Sequence, residues 1–147
     1  MLINIPNIIS PDLLKIMQEM GHGDEICIGD GNFPARSMAK TGGTELVRLD
    51  GHGVITILDA VLQLMPLDTF VPYPVKLMEH VPGDLTPCPI WDEYFAIIAK
   101  YDKRAKDCVE FIERFQFYNL AQKCYVIVAT GETAVYANII LKKGVIK

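Results

Sequence analysis

The chain has 147 residues, a length that fits one domain whose core can form without disulfide bonds. Half of the residues are hydrophobic and 22% are charged, which excludes an intrinsically disordered chain and leaves apolar surface for contacts between subunits. The net charge of -4 provides no basic surface, so we expect no nucleic-acid partner. Residues 1–147 are therefore expected to form a single domain that assembles into a homo-oligomer.

The cysteines and histidines give no sign of a metal site. Cys27, Cys88, Cys108 and Cys124 lie far apart without a C-x-x-C pair, and the three histidines lack an H-x-x-x-H spacing. Three of the cysteines fall inside apolar runs, which predicts reduced thiols and a cytoplasmic protein. Apolar runs such as GVITILDAVLQLM are shorter than the roughly 20 residues that a membrane span needs, so no membrane partner is expected.

Helical and strand patterns alternate along the first half of the chain. Ser10 followed by Pro11 is a typical helix start, and Gly21 is a natural left-handed stop, which together predict a helix over 11–20. The segments EICIG and ELVRLD are rich in β-branched and aliphatic residues, whereas GVITILDAVLQLM has helical periodicity. These patterns predict strands at 25–29 and 45–50, with the glycine turn TGGT between them, and a helix at 53–65.

The second half of the chain continues the same alternation. Its patterns predict strands at 74–80, 108–113, 124–131 and 138–144 and helices at 90–103 and 114–123. Strands that alternate with helices predict an α/β fold: a single Rossmann-like, three-layer α/β/α domain with a mostly parallel or mixed central sheet. Ligands bind such sheets at the carboxyl ends of strands, where the loop GDGNFPA follows the first predicted strand.

His22 lies in the segment EMGHGDEI, between two glycines that allow unusual backbone angles. Such a loop can hold an imidazole toward a cleft, with Asp24 or Glu25 orienting one ring nitrogen. A histidine after a helix can equally just meet the last helical carbonyls. The tripeptide recurs at Gly51-His52-Gly53, where we expect a structural role for His52.

Asp30 ends its predicted strand between two glycines. The pair Gly29-x-Gly31 resembles the start of a dinucleotide fingerprint, but Pro34 stands where the third glycine or alanine belongs, so we expect no nucleotide site. Two interpretations of Asp30 remain open: a carboxylate that accepts hydrogen bonds from a ligand hydroxyl, or an Asx turn that satisfies its own backbone.

Two polar residues near the C-terminus suit a polyhydroxylated ligand, and an arginine earlier in the chain can bind an oxygen. Tyr136 and Asn138 precede the last predicted strand and offer a hydroxyl and an amide, although Tyr136 also suits an aromatic cover on the core. Arg114 can hold an oxygen with its rigid fork of donors, or it can form a surface salt bridge with Glu110 or Glu113.

Several motifs together resemble one family of sugar-converting proteins. They are MGHGDEI, D-x-x-FPA from Asp30, RFQFYNLAQK, VIVATGE and YANIILKKGV. Their order, spacing and total length are similar to the fucose mutarotase branch of the family that also contains D-ribose pyranase. The resemblance implies a cofactor-independent isomerase that interconverts the α and β anomers of L-fucose by opening and reclosing the pyranose ring, in carbohydrate metabolism.

The resemblance also implies roles for individual residues and an assembly. His22 matches the family's catalytic proton donor, and Asp30 matches a sugar-binding carboxylate. The other sugar contacts that it implies are Arg114, Tyr118, Tyr136, Ala137 and Asn138. A decameric ring is implied as well. The alternatives are a mutarotase or pyranase for another aldose such as D-ribose, a non-catalytic sugar-binding protein, and an oligomeric scaffold.

Overall fold

A computed structural model describes residues 1–147, in which five α-helices and six strands alternate. Their bounds are α1 Pro11–Glu19, β1 Glu25–Gly29, α2 Ala35–Gly42, β2 Glu45–Leu49, α3 Val54–Leu64, β3 Val75–Met78, α4 Ile90–Tyr101, β4 Val109–Ile112, α5 Arg114–Ala121, β5 Val126–Thr130 and β6 Ile139–Lys142. A short 3-10 helix, Ala105–Cys108, precedes β4. None of the helices has both the length and the hydropathy needed to cross a bilayer.

The six strands form one mixed sheet in the order β2-β5-β1-β6-β3-β4. Strand β1 runs parallel to β5 and antiparallel to β6, so Ile26 pairs with Val126 on one side and with Leu141 on the other. Strand β6 is also antiparallel to β3, and it is the one strand that opposes the direction of the other five. The α/β class and the mixed sheet expected from the sequence are confirmed.

The sheet separates two hydrophobic layers. Ile26 and Ile28 of β1 belong to the larger core, under α1, α3 and α4, whereas Cys27 between them belongs to the smaller core, under α2 and α5. This alternation is what a strand buried on both faces requires, because successive side chains point to opposite faces. Helices therefore cover both faces of the sheet.

Helix α2 has no counterpart among the predicted elements. Its sequence, ARSMAKTG, contains serine, threonine and glycine, which are weak helix formers, and its apolar stripe is short. Only Ala35 and Ala39, one turn apart, are buried in it, and Gly43 ends it in the left-handed conformation with φ of 68°. Packing against the sheet, rather than intrinsic propensity, stabilises this helix.

Helix α1 starts as the sequence predicts, but the left-handed residue after it is a different glycine. The Ser10 hydroxyl accepts a hydrogen bond from the Leu13 N–H at 3.2 Å. The helix ends at Glu19, within one residue of the predicted end, but the left-handed conformation expected at Gly21 is wrong, since Gly23, with φ of 87°, takes it instead. The Lys143 ammonium donates to main-chain carbonyls in the last turn of α1, and thereby ties the loop that carries the histidine to the end of β6.

Candidate active site

A cavity of about 340 Å³ opens at the edge of the sheet where β1 ends. Five of the residues singled out from the sequence line it: Asp30, Arg114, Tyr118, Tyr136 and Asn138. They meet because β1 and β4 end at this edge while β6, which runs the other way, begins there. The volume is at the lower end of the range of small-molecule sites, which suits a single sugar ring.

Asp30 forms the Asx turn that was one of the two interpretations from the sequence, and its position at the cavity is compatible with the other. One carboxylate oxygen accepts the Asn32 N–H at 2.9 Å, an Asx turn, and the other is 3.4 Å from the Ala137 N–H. The residue is only 5% exposed, and its side chain nevertheless faces the cavity. Burial raises the pKa of Asp30 above its ordinary value, although hydrogen bonds from these backbone N–H groups oppose the rise.

Asn138 is oriented by the backbone of Asp30. Its side-chain oxygen accepts the Asp30 N–H at 2.8 Å, so its amide nitrogen is the group left to donate to a ligand. The cavity therefore presents a carboxylate acceptor beside an amide donor. Neighbouring hydroxyl groups of a sugar, each of which both donates and accepts, fit such a pair.

Two aromatic residues of α4 fix the tripeptide Tyr136-Ala137-Asn138. The Trp91 indole N–H donates to the Tyr136 carbonyl at 2.9 Å, and the Tyr94 hydroxyl donates to the Ala137 carbonyl at 2.7 Å. Tyr136 has φ of 56°, a conformation that non-glycine residues seldom adopt and that surrounding contacts must maintain. The Ala137 side chain is fully buried, so this residue contributes to the site through its backbone.

Arg114 and Tyr118 project from the first turns of α5, four residues apart on one face. The Glu113 carboxylate caps this helix by accepting the N–H groups of Phe115 and Gln116, and no salt bridge joins it to Arg114. The guanidinium instead lies 4.6 Å from the centre of the Phe115 ring, and its Nε is buried without a partner. Arg114 therefore keeps unused donors at the cavity.

His22 lies at the other end of β1. Its Nε2 is 3.2 Å from a carboxylate oxygen of Asp68, and its ring centre is 5.3 Å from that of Phe70. The five residues of β1 span about 13 Å between the two ends, since each of the four steps along the strand rises about 3.3 Å. Within one chain, His22 therefore does not contact the cavity that holds Asp30.

The carboxylates expected to orient His22 have other partners. Asp24 accepts the Gly21 N–H at 2.7 Å, and Glu25 forms an ion pair with Lys142 at 3.0 Å. Both carboxylates organise the loop around the histidine instead of its ring. The expectation that Asp24 or Glu25 orients the imidazole is therefore wrong.

Asp68 is the orienting carboxylate, and the sequence interpretation missed it. It is buried, and burial on its own would raise its pKa, but the Phe70 N–H at 2.9 Å and His22 lower the pKa overall. The Arg104 guanidinium holds the carbonyl of Asp68 at 2.8 Å and is itself paired with Asp102. A single aspartate in the segment MPLDTF carries no spacing signal that could have revealed this role.

His52 has no comparable surroundings. Its side chain is exposed and makes no hydrogen bond, whereas its backbone carbonyl accepts the Gly131 N–H at 3.0 Å. The structural role expected for His52 therefore belongs to its backbone.

Comparisons with known proteins agree on one family. A family model described as "RbsD / FucU transport protein family" matches residues 3–146. The chain is 47% identical to a fucose mutarotase of Homo sapiens, over 97% of this chain and 92% of the relative.

Solved structures show the same likeness. FucU from Bifidobacterium longum superposes with a TM-score of 0.95 at 51% identity, over 98% of this chain and 99% of that one. The fucose mutarotase from Streptococcus pneumoniae, solved in complex with L-fucose, superposes with a TM-score of 0.90 at 46% identity, over 99% of this chain and 100% of that one. From its sequence, its fold and its near-complete match to these proteins, the chain belongs to the RbsD / FucU transport protein family.

Proposed function

We propose that this chain is an isomerase, an L-fucose mutarotase that interconverts the α and β anomers of the sugar. The observation that carries the proposal is the cavity in which a buried carboxylate, an oriented amide and an arginine with free donors converge at one edge of the sheet. Relatives more than 40% identical over nearly the whole chain are named fucose mutarotases, which supports L-fucose as the sugar.

The reaction needs only proton transfers. The C1 hydroxyl gives its proton to a base, the bond between C1 and the ring oxygen breaks, and the ring oxygen takes a proton from an acid, which yields the open aldehyde. Rotation about the C1–C2 bond and reclosure give the other anomer. We assign His22 as the proton donor, because an imidazole can donate or accept a proton at neutral pH, and the buried Asp68 carboxylate fixes its ring.

The sugar is held by the residues around the cavity in this proposal. Asp30 and Asn138 bind neighbouring hydroxyls as acceptor and donor, and Arg114 donates to a sugar oxygen with its planar fork. Tyr118 and Tyr136 supply aromatic walls and hydroxyl groups. These roles require the histidine to reach the same cavity.

A second copy of the chain brings His22 to the cavity in this proposal. Exposed apolar side chains lie near both halves of the proposed site. Phe70 and Ile146, 65% and 86% exposed, lie at the end of the sheet that carries His22. Leu85 and Phe115, 91% and 60% exposed, are next in sequence to residues that line the cavity. Large apolar side chains exposed beside functional groups mark contact surfaces. Two different surfaces that join head to tail form a ring when the rotation between neighbours closes, and the homo-oligomer that we propose is a decamer.

We also propose that the protein acts in the cytoplasm. Cys27, Cys108 and Cys124 are buried free thiols, and Cys88 is free as well. Four unpaired thiols suit a reducing compartment. Fractionation of cells that produce the chain at its natural level tests this assignment.

Saturation-transfer NMR on anomeric mixtures tests the proposed activity. Irradiation of one anomeric proton of L-fucose should reduce the signal of the other at a rate proportional to protein concentration. Parallel runs with D-ribose and D-galactose measure the preference. Faster exchange of ribose than of fucose would favour a pyranase, binding without exchange would favour a sugar-binding protein, and neither binding nor exchange would favour a scaffold.

A further inference from the structure

The loop between β3 and α4, residues 79–89, supplies three residues to the cavity that nothing in the sequence pointed to. Val81, Asp84 and Thr86 line it beside Tyr136. The loop is held in place by His80, whose Nε2 lies 2.7 Å from the Thr86 carbonyl and whose ring centre lies 4.7 Å from that of Tyr136. This loop therefore forms part of the wall that a bound sugar would meet.

A carboxylate in this loop contacts the Tyr136 hydroxyl directly. The Tyr136 hydroxyl donates to one oxygen of Asp84 at 2.5 Å, and the Thr86 hydroxyl and N–H donate to the other at 2.6 and 2.9 Å. The Thr86 hydroxyl, followed by the Tyr136 hydroxyl, lowers the pKa of Asp84 to about 2. At neutral pH the group is a carboxylate and can only accept hydrogen bonds.

The fixed carboxylate decides which way the Tyr136 proton points. A phenol has one proton to donate, and in this site that proton is directed at Asp84. The lone pairs of the phenolic oxygen are then the part left for a ligand, and the Val81 N–H already lies 3.4 Å from this oxygen. Tyr136 consequently meets the sugar as a hydrogen-bond acceptor.

The backbone keeps this arrangement rigid. Tyr136 is held at φ of 56°, and its carbonyl accepts the Trp91 indole N–H at 2.9 Å. The His80 ring packs between the Tyr136 and Trp91 rings, with its centre 4.9 Å from that of Trp91. The hydroxyl therefore has little freedom to turn toward a different partner.

We propose that Asp84 is a positioning residue that sets Tyr136 as a hydrogen-bond acceptor, so that one position of the sugar must carry a hydroxyl group that donates. The inference rests on the proposed binding of L-fucose and adds a specificity determinant to it. Fluorine in place of that hydroxyl keeps a similar size but cannot donate, so the cavity should reject it. A tyrosine free to rotate would reject fluorine less strongly.

Titration calorimetry with L-fucose and its 2-, 3- and 4-deoxyfluoro analogues tests the proposal. For each analogue, the ratio of its Kd to that of L-fucose is measured for the wild type, Tyr136→Phe, Asp84→Asn and the control Asp92→Asn, an exposed carboxylate of α4. For one analogue, the ratio should fall about fivefold or more in both Tyr136→Phe and Asp84→Asn, the scale of one lost hydrogen bond. The other two ratios, and all ratios of Asp92→Asn, should stay within about twofold.

Three results would overturn the role of Asp84. They are ratios in Asp84→Asn equal to those of the wild type, an equal change in all three ratios, and a Tyr136→Phe variant that leaves every ratio unchanged. The last comparison needs only wild type and Tyr136→Phe, so it can overturn the proposal even if Asp84→Asn fails to fold. A wild type that does not bind L-fucose would overturn the proposed function itself, which is a different result from binding with unchanged ratios.

Discussion

In the proposed function, Asp30 lowers the stability of the free protein and contributes to sugar binding. Its carboxylate is almost completely removed from solvent and forms no salt bridge, and backbone N–H groups lie 2.9 and 3.4 Å from its oxygens. A buried charge with incomplete compensation is costly, and a sugar that donates hydroxyl protons to it would supply the missing partners. The buried carboxylate of Asp30 would therefore be more stable in the sugar-bound protein than in the free protein.

The raised pKa of Asp30 predicts a pH-dependent penalty in the free energy of unfolding. Its folded-state pKa lies above the ordinary value of 3.8, so the folded protein binds the proton more tightly than the unfolded chain does. The penalty is absent below pH 3.8, grows as the pH rises through the folded-state pKa, and is then constant. Relative to Asp30→Asn, the wild type should lose free energy of unfolding across this window.

Urea unfolding of the wild type and Asp30→Asn at several pH values measures that difference. Asp30→Asn should also bind L-fucose about five- to a hundredfold more weakly, because the amide removes one acceptor from the sugar. A wild type that gains stability over the variant as the pH rises would contradict the assigned direction. Unchanged fucose affinity would leave Asp30 as a turn residue.

The two glycine-flanked histidines should respond differently to substitution. His22→Ala should slow anomer exchange at least ~100-fold, the usual scale of a lost general acid. His52→Ala, at an exposed ring without hydrogen bonds, should keep the wild-type rate and a stability within about 0.5 kcal/mol. Saturation-transfer NMR and thermal unfolding measure both effects, and equal losses of rate in two folded variants would refute the assignment to His22.

Residues with a local signal could be predicted, and residues that depend on distant partners could not. His22 and Asp30 stand between glycines, which marks them in the sequence. Asp68 and Asp84 acquire their roles from His22 and Tyr136, which lie 46 and 52 residues away. Only the folded chain shows such pairs.

At the scale of elements, strong periodicity was enough to place most helices and all six strands within a few residues. It did not identify α2, which depends on packing, or the antiparallel direction of β6. The direction of a strand depends on whether the preceding connection returns to the opposite end of the sheet before the strand begins. No local sequence pattern encodes that path. That direction matters, because it brings Asn138 to the same edge as Asp30.

A substitution at Gly144 tests the contact between residue 144 and the segment that carries Asp68. A Cβ at residue 144 would lie 2.4 Å from the carbonyl oxygen of Leu67, so Gly144→Ala should displace that segment. We expect a loss of about 1–3 kcal/mol in the free energy of unfolding. We also expect slower anomer exchange, because Asp68, which contacts His22, is the residue after Leu67. Gly21→Ala is the matched control, since its nearest neighbour would be the Asp24 carboxylate at 3.7 Å.

Chemical denaturation and anomer exchange of the two glycine variants provide the readout. Gly144→Ala should lose both stability and rate, and Gly21→Ala should keep both near wild type. A Gly144→Ala protein as stable and as fast as the wild type would show that the contact does not matter for either property.

At the scale of the whole molecule, the functional groups lie at two ends of one sheet. The His22–Asp68 pair is at one end of β1, and the cavity with Asp30 and Asn138 is at the other. No internal motion of a packed sheet brings these ends together, whereas the head-to-tail contact between copies that we propose would do so. Assembly is therefore a condition for activity in the proposed function, and not only a source of stability.

Mixing two impaired variants tests whether neighbouring copies share each site. His22→Ala has an intact cavity, and Asn138→Ala has an intact histidine. If they are unfolded together, refolded in equal amounts and assembled at random, about one quarter of the junctions pair an intact histidine with an intact cavity. Saturation-transfer NMR at L-fucose concentrations below the Kd should then show about a quarter of the wild-type exchange rate, which is faster than the mean of the two variants measured alone, and a mixture no faster than that mean would contradict a site shared between copies.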